Sequence, residues 1–308
     1  MPPPTSPFTG TITLTDVARR AESGDPGDDP ASMRRGFARL LLGDAAPDDV
    51  TPGDEARPGD VDLGGAPARR YGPGDDAAPA AVLYCHGGGY VFGSPETHAR
   101  LATALAAAAG APVYALRYRL APEHPWPAQR DDALAAARAL RAAGCTRLAL
   151  AGDSAGGHLA LVATLHLAAA DDAPDALALL SPNTDRTGLN RTRDANAARD
   201  PMVDPAFDGR LGGMAFADAD LPLDHPDVSP ALADLAGLPP THLEVGDREV
   251  LLGDTTALHE RALLAGVDVS LAVAAGAFHM WQAWTPWLPE AGDSLGRVGA
   301  FLRKHLGT

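Results

Sequence analysis

Past residue 80 the chain settles into an alternation of short apolar runs with longer Ala/Leu-rich stretches whose apolar positions recur at helical spacing. The runs at 81–85, 112–116, 147–151, 176–180, 241–245 and 267–273 predict strands, and the stretches at 97–109, 128–143, 155–170, 254–265 and 289–305 predict helices. Short strands separated by helices need crossover connections. The expected architecture is therefore α/β, a mostly parallel central sheet with helices on both faces. One interval breaks the rhythm: about sixty residues separate Leu180 from Thr241, with a helical stretch near 205–217. Insertions of that size in parallel sheets often overhang the carboxyl ends of the strands, where ligands bind. Before residue 80 the chain is dense in Pro, Gly and Asp. Only two short periodic pieces stand out there, near 14–21 and 33–42, the second setting Phe37, Leu40 and Leu41 at helical spacing. A length of 308 residues favours one domain over 1–308 carrying an elaboration.

Charge narrows the field of partners. Lys and Arg number 25 against 40 Asp and Glu, a net charge of −15 whose field repels polyphosphates, so no nucleic acid is expected. Much of the acidic excess falls before residue 80 and between 194 and 240. The sole lysine is Lys304, which argues against phosphate-binding Gly-Lys loops, pyridoxal Schiff bases and Ser-Lys dyads. Cys85 and Cys145 lack Cys-x-x-Cys spacing and read as small core residues; no metal site is expected. No run is long and apolar enough to cross a membrane. Met1-Pro2-Pro3-Pro4-Thr5-Ser6-Pro7 lacks the basic and apolar regions of a secretion signal, so a cytoplasmic location is the expectation.

The strongest chemical signal is Gly152-Asp153-Ser154-Ala155-Gly156-Gly157, set between a predicted strand and a predicted helix. A Gly-x-Ser-x-Gly turn there exposes the serine oxygen at a helix N-terminus, with glycines where side chains would strike neighbouring backbone. His86-Gly87-Gly88-Gly89-Tyr90 follows another strand. Three adjacent glycines suit a main chain that presents N–H groups to a developing oxyanion. Gly88, Gly89 and Ala155 are the expected donors. His86, inside the glycine motif, reads as an organiser of the loop.

A base for Ser154 must be a histidine at the same end of the sheet. His279, in Gly276-Ala277-Phe278-His279-Met280-Trp281, follows the strand at 267–273, whereas the other histidines fall on helices, in proline-flanked loops or at the start of a strand. An acid should lie between them, and residues 245–254 supply Asp247, Glu249 and Asp254. The order nucleophile, acid, base is that of the α/β-hydrolase fold.

Together with Tyr118-Arg119-Leu120-Ala121-Pro122-Glu123-His124-Pro125-Trp126-Pro127-Ala128, and with Ser229-Pro230 ahead of Leu238-Pro239-Pro240, these motifs resemble the bacterial hormone-sensitive-lipase family of serine carboxylesterases and acetyl esterases. The resemblance runs from about residue 75 to the C-terminus. It implies an α/β-hydrolase core, a small helical cap formed by about 1–50 and about 185–220, and hydrolysis of short to medium acyl esters without a cofactor. The family's Asp-Pro-Leu falls on Glu249-Val250-Leu251, a departure that gives Glu249 the acid role, keeps Asp247 as the fallback and leaves Asp254 as a helix N-cap.

Tyr118 to Ala128 is expected to brace the glycine loop from beneath. Tyr90, Phe207, Met214 and Trp281 are candidates for the substrate pocket, as are Phe37 and Leu41; Trp281, Trp284 and Trp287 share one face if their segment is helical. The expected partner is a small-molecule ester, and a homodimer is left open. Competing readings keep the site and change its use: an amide deacetylase, a biosynthetic acyl-transfer enzyme, a dehydratase, or a non-catalytic small-molecule receptor on the same fold.

Overall fold

The computed structural model describes residues 12–22, 27–43, 57, 59–73 and 78–308. Met1 to Pro7 and parts of the N-terminal cap segment at 8–11, 23–26 and 44–50 lie outside the described residues. Two helices come first, α1 (Leu14–Glu22) and α2 (Pro30–Leu42). The start of α2 is set by Asp29, whose carboxylate accepts from the Ser32 N–H at 3.0 Å, and by Pro30 at the first helical position.

The strands β1 (Asp60–Leu63) and β2 (Ala66–Tyr71) follow, then β3 (Ala80–Cys85), α3 (Ala99–Ala109), β4 (Val113–Leu116), α4 (Ala128–Ala142), β5 (Arg147–Asp153), α5 (Ala155–Ala169) and β6 (Ala176–Leu180). The long interval holds α6 (Thr192–Ala195) and α7 (Pro205–Ala215), after which β7 (Thr241–Gly246), α8 (Leu252–Leu264), β8 (Val269–Ala274) and α9 (Pro289–Leu306) complete the alternation. Among the described residues the strands form one sheet in the order β1-β2-β4-β3-β5-β6-β7-β8. From β4 through β8 every pair is parallel, whereas β1 and β2 pair antiparallel at one edge.

The central strands are apolar throughout because both faces are covered. Ala81, Leu83 and Cys85 of β3 enter one core with α4 and α5, while Ala80, Val82 and Tyr84 enter the other with α3 and α9. In β5 and β6 leucines face the first core and mainly alanines face the second. A third cluster joins α1 and α2 to the segment after β8: Val17, Phe37 and Leu41 pack with Phe278, Trp281 and Trp284.

The pair β1 and β2 was not expected. Its strands are short and largely polar, one carries Pro67, and the cue was the two-residue turn Gly64-Gly65 between them. The strand expected from 267 starts at Val269, and the tryptophans do not form an α-helix: Trp281–Trp284 is a 3-10 turn. No described helix is long and apolar enough to cross a membrane.

Candidate active site

Five adjacent parallel strands, β3, β5, β6, β7 and β8, deliver the chemical groups at their carboxyl ends. The turn after β5 is the sharpest. Ser154 has φ 54°, a left-handed value that is strained for a residue with a Cβ, and its N–H donates to the Leu180 carbonyl at 2.9 Å. A Cβ on Gly156 would strike the carbonyl oxygens of Cys85 and His86, which is why the turn needs glycine there. The serine turn thus lies directly on the end of β3.

The loop after β3 is held from below by Asp153. Its buried carboxylate accepts from the Tyr84 hydroxyl at 2.6 Å and the Gly87 N–H at 3.0 Å, and lies 3.4 Å from His98 Nε2. Burial pushes the Asp153 carboxyl up, but His98 and these donors outweigh it and hold the carboxyl below its usual range. Gly88 and Gly89 have φ 121° and 59°, and the Gly88 carbonyl accepts from both Val91 and Phe92 at 3.0 Å. Among the described residues the N–H groups of Gly88, Gly89 and Ala155 have no acceptor within the protein. His86 is fully buried and stacked on Tyr118 at 4.3 Å; burial lowers its pKa to about 3, so it stays neutral and organises the loop. Tyr118 donates to the His86 carbonyl at 2.7 Å, the bracing expected of its motif. Arg119 pairs with Asp132, and Glu123 with Arg34.

At the other side of Ser154, His279 Nε2 lies 2.9 Å from its Oγ, and His279 Nδ1 lies 3.0 Å from Glu249 Oε2. An ionised carboxylate only accepts, so Nδ1 carries the proton and Nε2 is free to accept from the serine. Glu249 is fully buried, and its Oε1 accepts from Ser181 Oγ at 2.8 Å and from the Gly246 N–H at 2.6 Å. Burial alone would lower the His279 pKa; the hydrogen bond and charge of Glu249 reverse the sign and raise it. Asp247 points elsewhere, accepting from the Gly276 N–H at 2.8 Å. Asp254 is not an N-cap, because α8 begins at Leu252. Asp254 falls in the first turn, buried and bonded to Arg193 at 2.6 Å.

A cavity of about 440 Å³ is lined by Ser154, His279, Gly88 and Gly89, with Met33 and Phe37 of α2 and Phe207 and Leu211 of α7 among its walls. Phe37 and Phe207 are thus where the sequence suggested. Tyr90, Met214, Trp281 and Leu41 do not line it. Successive left-handed residues from Gly88 to Tyr90 turn the tyrosine inward, where its hydroxyl meets His158 Nδ1 at 2.6 Å. Met280, also left-handed at φ 59°, takes the cavity position and sends Trp281 into the third cluster with Leu41. Met214 packs, half-buried, against the main core.

Sequence reasoning missed the supports. Ser181, Asn196 and Asp200 reach the acid and base from the end of β6 and from the insertion, and Arg34 of α2 reaches the glycine loop. Arg34 Nε donates to the Val91 carbonyl at 2.9 Å, Nη2 to the Ala121 carbonyl at 3.1 Å, and both terminal nitrogens to Glu123. Asp153 stood inside the serine motif, but nothing in the spacing marks the other four.

The sequence profile of the alpha/beta hydrolase fold family matches residues 82–283. An acetyl-hydrolase from Streptomyces hygroscopicus is 42% identical over 229 residues, 73% of this chain and 76% of that protein. The carboxylesterase/phospholipase LipF of Mycobacterium tuberculosis is 36% identical over 242 residues, 74% of this chain, which spans 63% of LipF. The crystal structure of an esterase from the bacterial hormone-sensitive lipase family superposes with a TM-score of 0.86 at 37% identity, covering 96% of this chain and 98% of the other.

Proposed function

The chain belongs to the alpha/beta hydrolase fold family, and we propose that it cleaves carboxylic esters of short to medium acyl chains through an acyl-enzyme on Ser154. Its activity is that of a carboxylesterase or acetyl-hydrolase. The observation that carries the residue assignment is the unbroken chain of contacts from Ser154 and His279, which line the cavity, to the buried Glu249.

In the first half-reaction neutral His279 Nε2 takes the Ser154 proton as Oγ attacks the ester carbonyl carbon. The N–H groups of Gly88, Gly89 and Ala155 receive the oxyanion. Collapse breaks the bond to the alcohol oxygen, and the alcohol departs with the proton from His279. Water then gives its proton to His279 as it attacks the acyl carbon, and collapse breaks the bond to Ser154 Oγ, which takes that proton back from His279 as the acid leaves. Glu249 accepts from His279 Nδ1 throughout, fixing the tautomer and stabilising the imidazolium. Asp247 is a poorer choice of acid because its carboxylate is directed to Gly276. The walls contributed by α1, α2 and the insertion support a cap formed by about 1–50 and about 185–220 over a single domain.

An ester series from p-nitrophenyl acetate to laurate, run beside an anilide and a fluorophosphonate probe, tests this reading. Preference for the shorter esters and a covalent adduct on Ser154 are expected, with Ser154→Ala losing about 10⁴-fold or more in kcat while still folding. Dominant anilide turnover, or no adduct on folded protein, would overturn it.

A further inference from the structure

The acid and the base sit on separate loops, and a second carboxylate joins them. Asp200, in the insertion between α6 and α7, is buried at 6% exposure and lines the cavity. Its Oδ1 accepts from the N–H of His279 at 3.3 Å and from that of Met202 at 3.1 Å. Its Oδ2 accepts from the N–H of Val250, the residue after Glu249, at 3.1 Å. The same insertion places Asn196 Nδ2 2.8 Å from the Glu249 carbonyl oxygen, so two side chains from one segment grip the acid turn from its backbone side. We propose that Asp200 is a positioning residue for ester hydrolysis: one carboxylate ties the backbone of the acid turn to that of the base loop and couples both to the insertion that walls the cavity.

Two facts oppose a purely structural role. A buried carboxylate that only caps loop amides could be replaced by a neutral acceptor without cost to the chemistry, yet this one lies beside His279 and adds to the charge that raises the base. Second, ionisation there is costly. Burial first, and the Glu249 charge after it, push the Asp200 carboxyl up to about 6 against the pull of His279. The other charged groups near it on its own segment are already engaged: Arg199 donates to Asn196 Oδ1 and Asp204 caps α7 through the Phe207 N–H. After burial, the charges that act most strongly on Asp200 are those of the base and the acid themselves.

The inference rests on His279 and Glu249 being the base and the acid, and the controls keep the two ideas apart. Wild type, Asp200→Asn and Asp200→Glu would be compared as full-length chains by thermal unfolding, by fluorophosphonate labelling and by kcat and kcat/KM for p-nitrophenyl butyrate across pH 5 to 9. Failure of wild type to hydrolyse or to label Ser154 would sink the esterase assignment, and this inference with it. Given an active wild type, folded Asp200→Asn should lose about tenfold to a hundredfold in kcat, the range expected of a small misplacement of catalytic groups, with KM within about twofold. Its acid limb should move to lower pH because His279 loses a nearby negative charge. Asp200→Glu, which keeps the charge, should hold the limb near its wild-type position. An equal loss at every pH, a KM effect at constant kcat, or no effect at all would overturn the proposal. If neither variant folds, amide hydrogen exchange of the wild type decides: Val250 and His279 must exchange more slowly than neighbouring loop amides, and unprotected exchange at both would overturn it.

Discussion

The floor and the walls of the cavity are built on opposite plans. The floor, formed by the ends of β3 and β5, is made of backbone in conformations that few residues adopt: Gly88 and Gly89 at positive φ, Ser154 strained, and Gly156 against two carbonyl groups. The walls, formed by α2 and by 197–211, set apolar side chains such as Met33, Phe37, Phe207 and Leu211 on ordinary helices and loops, with Asp200, Asp204, Asp208 and Arg210 among them. Backbone-determined chemistry tolerates almost no change of residue, whereas an apolar wall tolerates many side chains of suitable volume. The floor should therefore set rate, and the apolar side chains of the walls should set which ester is taken, with Asp200 the wall residue that serves the floor.

The sharpest way to break that division is at the acid. Glu249→Gln leaves the shape of the floor but removes the charge that holds the imidazole tautomer, so kcat should fall by about 10²- to 10⁴-fold, while Asp247→Asn stays within a few-fold of wild type. The pH profile checks the sign. With Glu249 in place the His279 pKa is raised, protonated His279 is the inactive form, and the acid limb of kcat/KM lies above the ordinary imidazole range. In Glu249→Gln that limb moves to lower pH. An effect of intermediate size is expected where walls and floor meet. Arg34→Met removes the donors that α2 sends to Val91, Ala121 and Glu123, and should cost about tenfold in kcat through a loosened glycine loop, with a lower melting temperature. The smallest effect belongs to the walls alone. Phe37→Ala or Phe207→Ala should change the ratio of kcat/KM for hexanoate over acetate by about fivefold with kcat on acetate nearly unchanged. A large kcat loss there would show that walls and floor are not separable.

What could be read from the sequence follows the same division. The glycines, Ser154 and His279 stood out because their backbone conformations and their places at strand ends demand particular residue types. The central parallel strands β3, β4 and β6 were legible because burial on both faces makes them continuously apolar. The hairpin of β1 and β2 escaped because an exposed edge makes no such demand and its strands are short. Among the wall candidates, Phe37 and Phe207 do face the cavity, while Tyr90 and Trp281 do not: single left-handed residues at Tyr90 and Met280 redirect the chain, and nothing in their composition announces it. Asp200, Ser181 and Asn196 are invisible for a different reason. They lie far along the chain from the groups they hold, and only the tertiary fold joins them.

The contact of Gly156 with the carbonyl groups of Cys85 and His86 carries a consequence for anyone reshaping this enzyme. Because Asp153 also hangs the Gly87 amide from the serine turn, Ser154 and the glycines proposed to receive the oxyanion are tied into one mechanical part. A designer who widens the turn to admit a bulkier acyl group will displace the donors by the same motion. New substrates are better sought by exchanging the apolar side chains that α2 and α7 turn to the cavity, Phe37 and Phe207 among them, with Arg34 left in place to hold the glycine loop.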